Sequence, residues 1–279
     1  MESSFTLQTS DGLTLKGKVK NPTTTCKAVM TLVHGMGEHA ARYTHVADFF
    51  ANHGIATLSI DLRGHGNSEG KRGHTPSYEV LMNDIDKLVS KAKELFPNIP
   101  LIMYGHSMGG NLTLNYIIRR KPEIVGAIVT APYLKLAFEP PKWKVTLGKL
   151  TASLIPTLTQ PTGLETTAIS RDLDVVKAYE NDKLVHDKIT SAFFVNVHFA
   201  GPYAIEHAAE IKIPLLVMHG TADRLTSIEG TKEFAQHAGK NVTLKIWNGL
   251  YHELHNEPEK SEVFQFELDW LIQNQIIAG

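Results

Sequence analysis

Apolar residues change their spacing several times along this chain, and each change predicts a different kind of element. Phe5 and Leu7, then Leu13, Leu15 and Val19, alternate with polar neighbours on either side of Asp11-Gly12. A period of two broken by Asp-Gly predicts a tight antiparallel hairpin. The runs Val29-Val33, Ile55-Ile60, Leu101-Tyr104, Ile124-Val129 and Leu215-Met218 are apolar almost throughout. Such runs predict strands buried on both faces, as in a parallel sheet under helices. Between them Tyr78, Leu81, Met82, Ile85, Leu88, Val89, Ala92 and Leu95 recur at three- and four-residue spacing, with Pro76 and Ser77 ahead and Pro97 behind. This predicts an amphipathic helix with a marked start and stop. Helices are also predicted over Asn111 to Arg120 and over Val263 to Ile272, the latter with Phe264, Leu268, Leu271 and Ile272 on one face.

Alternating strands and helices predict an α/β sheet covered on both faces, with binding loops at the carboxyl ends of its strands. The alternation lapses between Thr130 and Leu215, a gap of roughly 80 residues that no simple connector needs. A core domain of 1–132 and 211–279 is therefore expected, with a cap inserted at 133–210. Within the cap, Val145, Leu147, Leu150, Leu154, Ile155 and Leu158 form an apolar set near Lys135, Lys142, Trp143, Lys144 and Lys149. Two readings fit: the apolar side packs on the core with the lysines solvated, or it touches an anionic membrane or lipid aggregate.

Composition narrows the partners. A net charge of -1 gives no basic excess, so nucleic acid is not expected. No apolar stretch is long enough to span a bilayer, and Met1 to Thr6 does not read as a secretory leader. Cys26 is the single cysteine, which excludes an intramolecular disulfide and fits a reducing compartment. A cytoplasmic location is expected, peripheral at membranes where the cap surface is used.

The chemistry concentrates at Gly105-His106-Ser107-Met108-Gly109, directly after one strand run and before a helical pattern. A serine on such a strand-to-helix turn needs small flanking residues, because the turn is sharp and strained. A serine hydroxyl also needs a base, and the base an orienting carboxylate, in the chain order serine, acid, histidine. Asp223, in the loop after Leu215-Met218, and His252, in the loop after Val242-Trp247, meet that order. His255 is the rival base. Asp61 precedes the serine and reads as organising its own Gly-rich turn. Negative charge on the attacked carbonyl oxygen calls for backbone donors, expected from Met108 and from Met36 in the turn His34-Gly35-Met36-Gly37. That turn could equally serve as simple chain reversal. His34, Gly35 and His106 are further candidates for contact with the bound substrate. Neither His252-x-x-His255 nor His34 through His39 forms an H-E-x-x-H pattern, and Gly64-x-Gly66 lacks full dinucleotide spacing. No metal and no cofactor is expected.

Together, His34-Gly35-Met36-Gly37-Glu38-His39 with Arg42-Tyr43, Asp61 to Ser68, Gly105 to Gly110, His219 to Leu225 and Tyr251-His252 resemble the monoacylglycerol lipase and lysophospholipase branch of the α/β-hydrolase superfamily. The resemblance runs over nearly the whole chain. It implies the α/β-hydrolase fold, with Ser107, Asp223 and His252 as nucleophile, acid and base and Met36 and Met108 as oxyanion donors. In the cap, Ile169 to Asp172 and Tyr179 to His186 are also similar to that branch, save that Lys183 stands where a proline is usual. The resemblance implies that Tyr179 lines the alcohol end of the pocket. A capped channel suits a small amphiphilic, single-chain ester, with monoacylglycerol first. A lysophospholipid or short-chain ester is the alternative, and a lipid-binding protein without turnover is the reading from outside the enzymes.

Overall fold

The computed structural model describes residues 2–138 and 141–278; the side chains of Lys142 and Lys144, named above with the cap lysines, lie outside the described set. In chain order the strands are β1 (Glu2–Gln8), β2 (Thr14–Lys20), β3 (Ala28–Val33), β4 (Ile55–Ile60), β5 (Leu101–His106), β6 (Gly126–Thr130), β7 (Thr159–Pro161), β8 (Lys188–Thr190), β9 (Leu215–Gly220) and β10 (Val242–Trp247). The helices are α1 (Thr44–Asn52), α2 (Tyr78–Leu95), α3 (Met108–Arg120), α4 (Lys142–Leu154), α5 (Leu173–Asn181), α6 (Ser191–Glu206), α7 (Ile228–Ala238) and α8 (Lys260–Gln273).

The main sheet has eight strands in the order β1-β2-β4-β3-β5-β6-β9-β10. Its β1 and β2 form the antiparallel hairpin, β2 pairs antiparallel with β4, and every later pairing is parallel. The hairpin loop is longer than a two-residue turn: Thr9 N–H donates to Leu13 O at 2.8 Å, and Gly12 supplies a φ of +87°.

Alternate side chains of the central strands feed two separate cores. Val29, Val33, Met103, Leu215 and Val217 pack with α2, α3, α6 and α7 through residues such as Leu81, Ile85, Leu112, Val197 and Phe234. Met30, Leu32, Ile102, Tyr104, Leu216 and Met218 pack on the other face with Val46 and Phe50 of α1 and Val263 and Leu271 of α8. This is why the runs read as continuously apolar: neither face of these strands meets water. Ser77 caps α2 by accepting from Val80 N–H at 3.3 Å, so the start read from the sequence has its physical partner.

Between β6 and β9 the chain forms α4, the small β7–β8 pair, α5 and α6. Helix α6 is part of the main core, contributing Phe193, Val197, Ala204 and Ile205. Helix α4 is different. Leu147, Leu150, Leu154, Ile155 and Leu158 are all exposed, at 45–70% of their full surface. The apolar side does not pack on the core.

Candidate active site

The site residues gather because the strands that carry them end side by side. Val33 of β3 lies opposite Gly105 of β5, and His219 and Gly220 of β9 lie opposite Ile246 and Trp247 of β10. The loops leaving β3, β5, β9 and β10 therefore open on one end of the sheet.

Ser107 caps the N-terminus of α3 with φ +54° and ψ −116°, a conformation strained for any residue with a side chain. Its neighbours explain how the turn closes. A Cβ on Gly105 would strike Thr113 Oγ1 and Gly109 O, and one on Gly109 would strike Val33 O. The serine backbone is anchored as well: Ser107 N–H donates to Thr130 O at 3.0 Å, and Ser107 O accepts from Tyr133 N–H at 2.9 Å.

His252 is buried, and its Nδ1 lies 2.7 Å from Asp223 Oδ2. The same carboxylate oxygen accepts from Thr226 Oγ1 at 2.9 Å and faces His219 Nε2 at 3.1 Å. The other oxygen accepts from Leu225 N–H at 2.7 Å and Thr226 N–H at 3.1 Å. Burial alone would push the Asp223 carboxyl up; the His252 and His219 rings outweigh it and hold that carboxyl well below the usual range. Burial likewise depresses His252, but Asp223, aided by Glu253 and Glu38, lifts the imidazole above its ordinary value. With Nδ1 committed to Asp223, Nε2 is the nitrogen left to exchange a proton.

Two cavities meet this pair. The larger, of about 390 Å³, is lined by Met36, Ser107, Tyr133, Leu164, Phe194 and His252 among others. The smaller, of about 30 Å³, is bounded by Gly35, His106, Ser107, Tyr179, His252 and Glu253 among others. Met36, Gly35, His106 and Tyr179 thus come to the site. Met108 opens α3 immediately after Ser107. His34 does not reach either cavity. It is fully buried behind its turn, where Nε2 accepts from Leu62 N–H at 2.9 Å and Nδ1 donates to Gly35 O at 2.7 Å.

His255, the rival base, stacks on Tyr43 at 4.5 Å between ring centroids and meets no carboxylate among the described residues. Asp61 accepts from Ala40 N–H at 2.9 Å and Asn67 N–H at 2.8 Å, so it braces its own loop and the start of the short helical turn at Ala40–Tyr43. Sequence reasoning quoted Glu38, Arg42 and His219 within the resembling segments without giving them a role, and did not name Thr226 or Glu253. Arg42 and Glu253 are 211 positions apart in the chain, a contact no local pattern carries.

Residues 24–259 match the family described as serine aminopeptidase, S33. The chain is 38% identical over 268 residues to an abhydrolase domain-containing protein of Dictyostelium discoideum, covering 95% of this chain and 28% of that much longer protein. It is 34% identical over 265 residues to a monoacylglycerol lipase of Mycolicibacterium smegmatis, covering 94% of each. Among solved structures, the monoacylglycerol lipase of Paleococcus ferrophilus is similar with a TM-score of 0.83 at 31% identity, over 99% of each chain.

Proposed function

The chain belongs to the serine aminopeptidase S33 family and has the α/β-hydrolase fold, and from that premise we propose that Ser107, His252 and Asp223 act as the triad of an esterase for monoacylglycerol. One arrangement carries the reading: the strained Ser107 and the Asp223-bonded His252 line the same cavity. In this reading His252 Nε2 takes the Ser107 Oγ proton as Oγ attacks the ester carbonyl. The Met36 and Met108 amides receive the oxyanion, and Asp223 steadies the imidazolium. His252 returns the proton to the departing glycerol oxygen, leaving an acyl-serine. Water then gives a proton to His252 and attacks the acyl carbon, and Ser107 leaves with that proton as the fatty acid is freed.

The larger cavity is roomy and apolar enough for a single acyl chain, with Leu136, Leu164, Phe194 and Leu225 in its wall. The smaller one, bounded by Tyr179, His106 and Gly35, has room for about one water and is read as the inner, polar end of the alcohol side. Residues 133–210 are read as a cap whose base is α6 and whose outer helix is α4. The exposed apolar side of α4 is read as a surface for lipid.

A fluorophosphonate probe tests the nucleophile: the native chain should be labelled and Ser107→Ala should not. Folded native protein that resists labelling would support a binding role without turnover. Fatty acid release from monoacylglycerol, lysophosphatidylcholine and a soluble short ester tests the substrate. Monoacylglycerol should be preferred, and faster turnover of the short ester would overturn the lipase reading.

A further inference from the structure

Along the wall of the smaller cavity lies a buried group of charges, with Glu38 and Glu253 in the lining, that takes no part in the proton transfers of the proposed reaction. Glu38 Oε1 accepts from Gly35 N–H and from Tyr43 Oη, each at 2.6 Å, and Glu38 Oε2 accepts from Arg42 Nη1 at 2.5 Å. The Arg42 fork also reaches Glu253, with Nη1 and Nη2 each donating at 2.7 Å. Glu253 in turn accepts from Asn256 Nδ2 at 2.7 Å. Above the guanidinium, 4.7 Å away, lies the Tyr179 ring. All three charged side chains are less than a tenth exposed.

Stability is a poor reason to bury three charges, since well-packed apolar residues often do as well or better. What the group joins is more telling. Glu38 holds the N–H of Gly35, the residue before Met36, and Glu253 directly follows His252 in the chain. We propose that Arg42 is a positioning residue, fixing the oxyanion turn against the catalytic-histidine loop through Glu38 on one side and Glu253 on the other. This rests on the triad reading above. Only a planar fork with several donors can serve both carboxylates; a lysine would bring the charge without that geometry.

The group carries two carboxylates and one cation, so it also biases His252. That ring is faced by Asp223 and Thr226 from the loop after β9, by His106 from β5, by Glu38 from the oxyanion turn, and by Glu253 and His255 on its own loop. Removing Arg42 leaves Glu38 and Glu253 unbalanced and favours the imidazolium. Removing the Glu253 charge does the reverse.

The experiment is a set of kcat/KM pH profiles for the full chain on a water-soluble short ester, in wild type, R42M, R42K and E253Q. R42M should lower kcat by about ten- to a hundredfold with KM changed less than about twofold, because misplacement by about 1 Å is enough for such a loss. Its acid limb should move to higher pH, and that of E253Q to lower pH. R42K should restore the limb and not the kcat. Folded R42M with wild-type kcat and limb overturns the proposal, as do limbs of R42M and E253Q that move together. If circular dichroism shows R42M unfolded, E253Q decides alone, and an unmoved limb overturns it. Ser107→Ala is run in parallel: if it remains active, the triad reading fails; if it is dead while R42M is unaffected, only the role of Arg42 fails.

Discussion

His34 acts from behind the turn it opens. Its Nε2 accepts the Leu62 amide proton, so Nδ1 carries the ring proton and donates to Gly35 O. The Gly35-Met36 peptide is trans, which sends the Met36 N–H away from that carbonyl oxygen. Burial keeps His34 below its ordinary pKa, and the neutral ring is the form that can both accept and donate. His34→Ala should therefore lower kcat on a short ester about 10²-fold, the loss of an oriented oxyanion donor. It should also cost about 1–3 kcal/mol for each backbone group left unpaired, read as a lower urea midpoint. Folded His34→Ala with native kcat would refute this. The sequence offered His34 as a substrate contact; the structure places it behind the turn, bonded to Leu62 28 positions away, a partner no local pattern shows. By contrast, the local order that proposes Ser107, Asp223 and His252 is plain in the sequence, since each follows a recognisable strand by a few residues, and the structure brings His252 Nδ1 to Asp223.

At the scale of elements, α8 shows what spacing can and cannot say. Phe264, Leu268 and Leu271 are buried as their periodicity predicts, whereas Ile272 is exposed at the helix end. Glu267 lies on the same buried face, three residues after Phe264, yet a charged side chain is ordinarily read as solvated. Burial pushes its carboxyl up to about 8, with the Tyr104 hydroxyl from β5 as its hydrogen-bond partner at 3.3 Å. The folded chain then holds a proton that the unfolded chain releases near 4.5, so stability should fall as pH rises from about 4.5 to about 8. Urea midpoints at pH 6 and pH 9 measure this. Wild type should lose stability on the order of a few kcal/mol between them, and Glu267→Gln should flatten the change. Equal slopes in both proteins would count against it. Helix α1 was not read at all, although Val46, Phe49 and Phe50 stand at three- and four-residue spacing; its nine residues give only two turns of that pattern.

The whole molecule has a lopsided surface. Most apolar residues around the eight-stranded sheet are inside, while Trp143, Leu147, Leu150, Leu154, Ile155 and Leu158 stand exposed in and just after α4. The sequence showed that these residues share a stretch; it could not show which way they face, because that depends on α6 filling the core side instead. Helix α4 also adjoins the larger cavity: Phe194, in its wall, lies beside Gly148. Among the described residues no helix is long and apolar enough to cross a membrane, so lipid contact through α4 would be superficial. On uncharged phosphatidylcholine, apolar burial supplies the binding energy. Neither Leu150 nor Leu154 lines either cavity, so they can be changed without touching the chemistry. Full burial of one leucine contributes about 1.5–3 kcal/mol, and half of that at two positions amounts to roughly a tenfold or greater change in partitioning. Leu150→Ser/Leu154→Ser should accordingly bind phosphatidylcholine vesicles about tenfold more weakly by co-sedimentation. Its kcat/KM should fall on monoacylglycerol held in vesicles and stay native on a soluble short ester. Unchanged vesicle binding would remove α4 as the lipid-facing surface, and an equal loss on both substrates would mean that the exposed leucines shape the cavity rather than the approach to it.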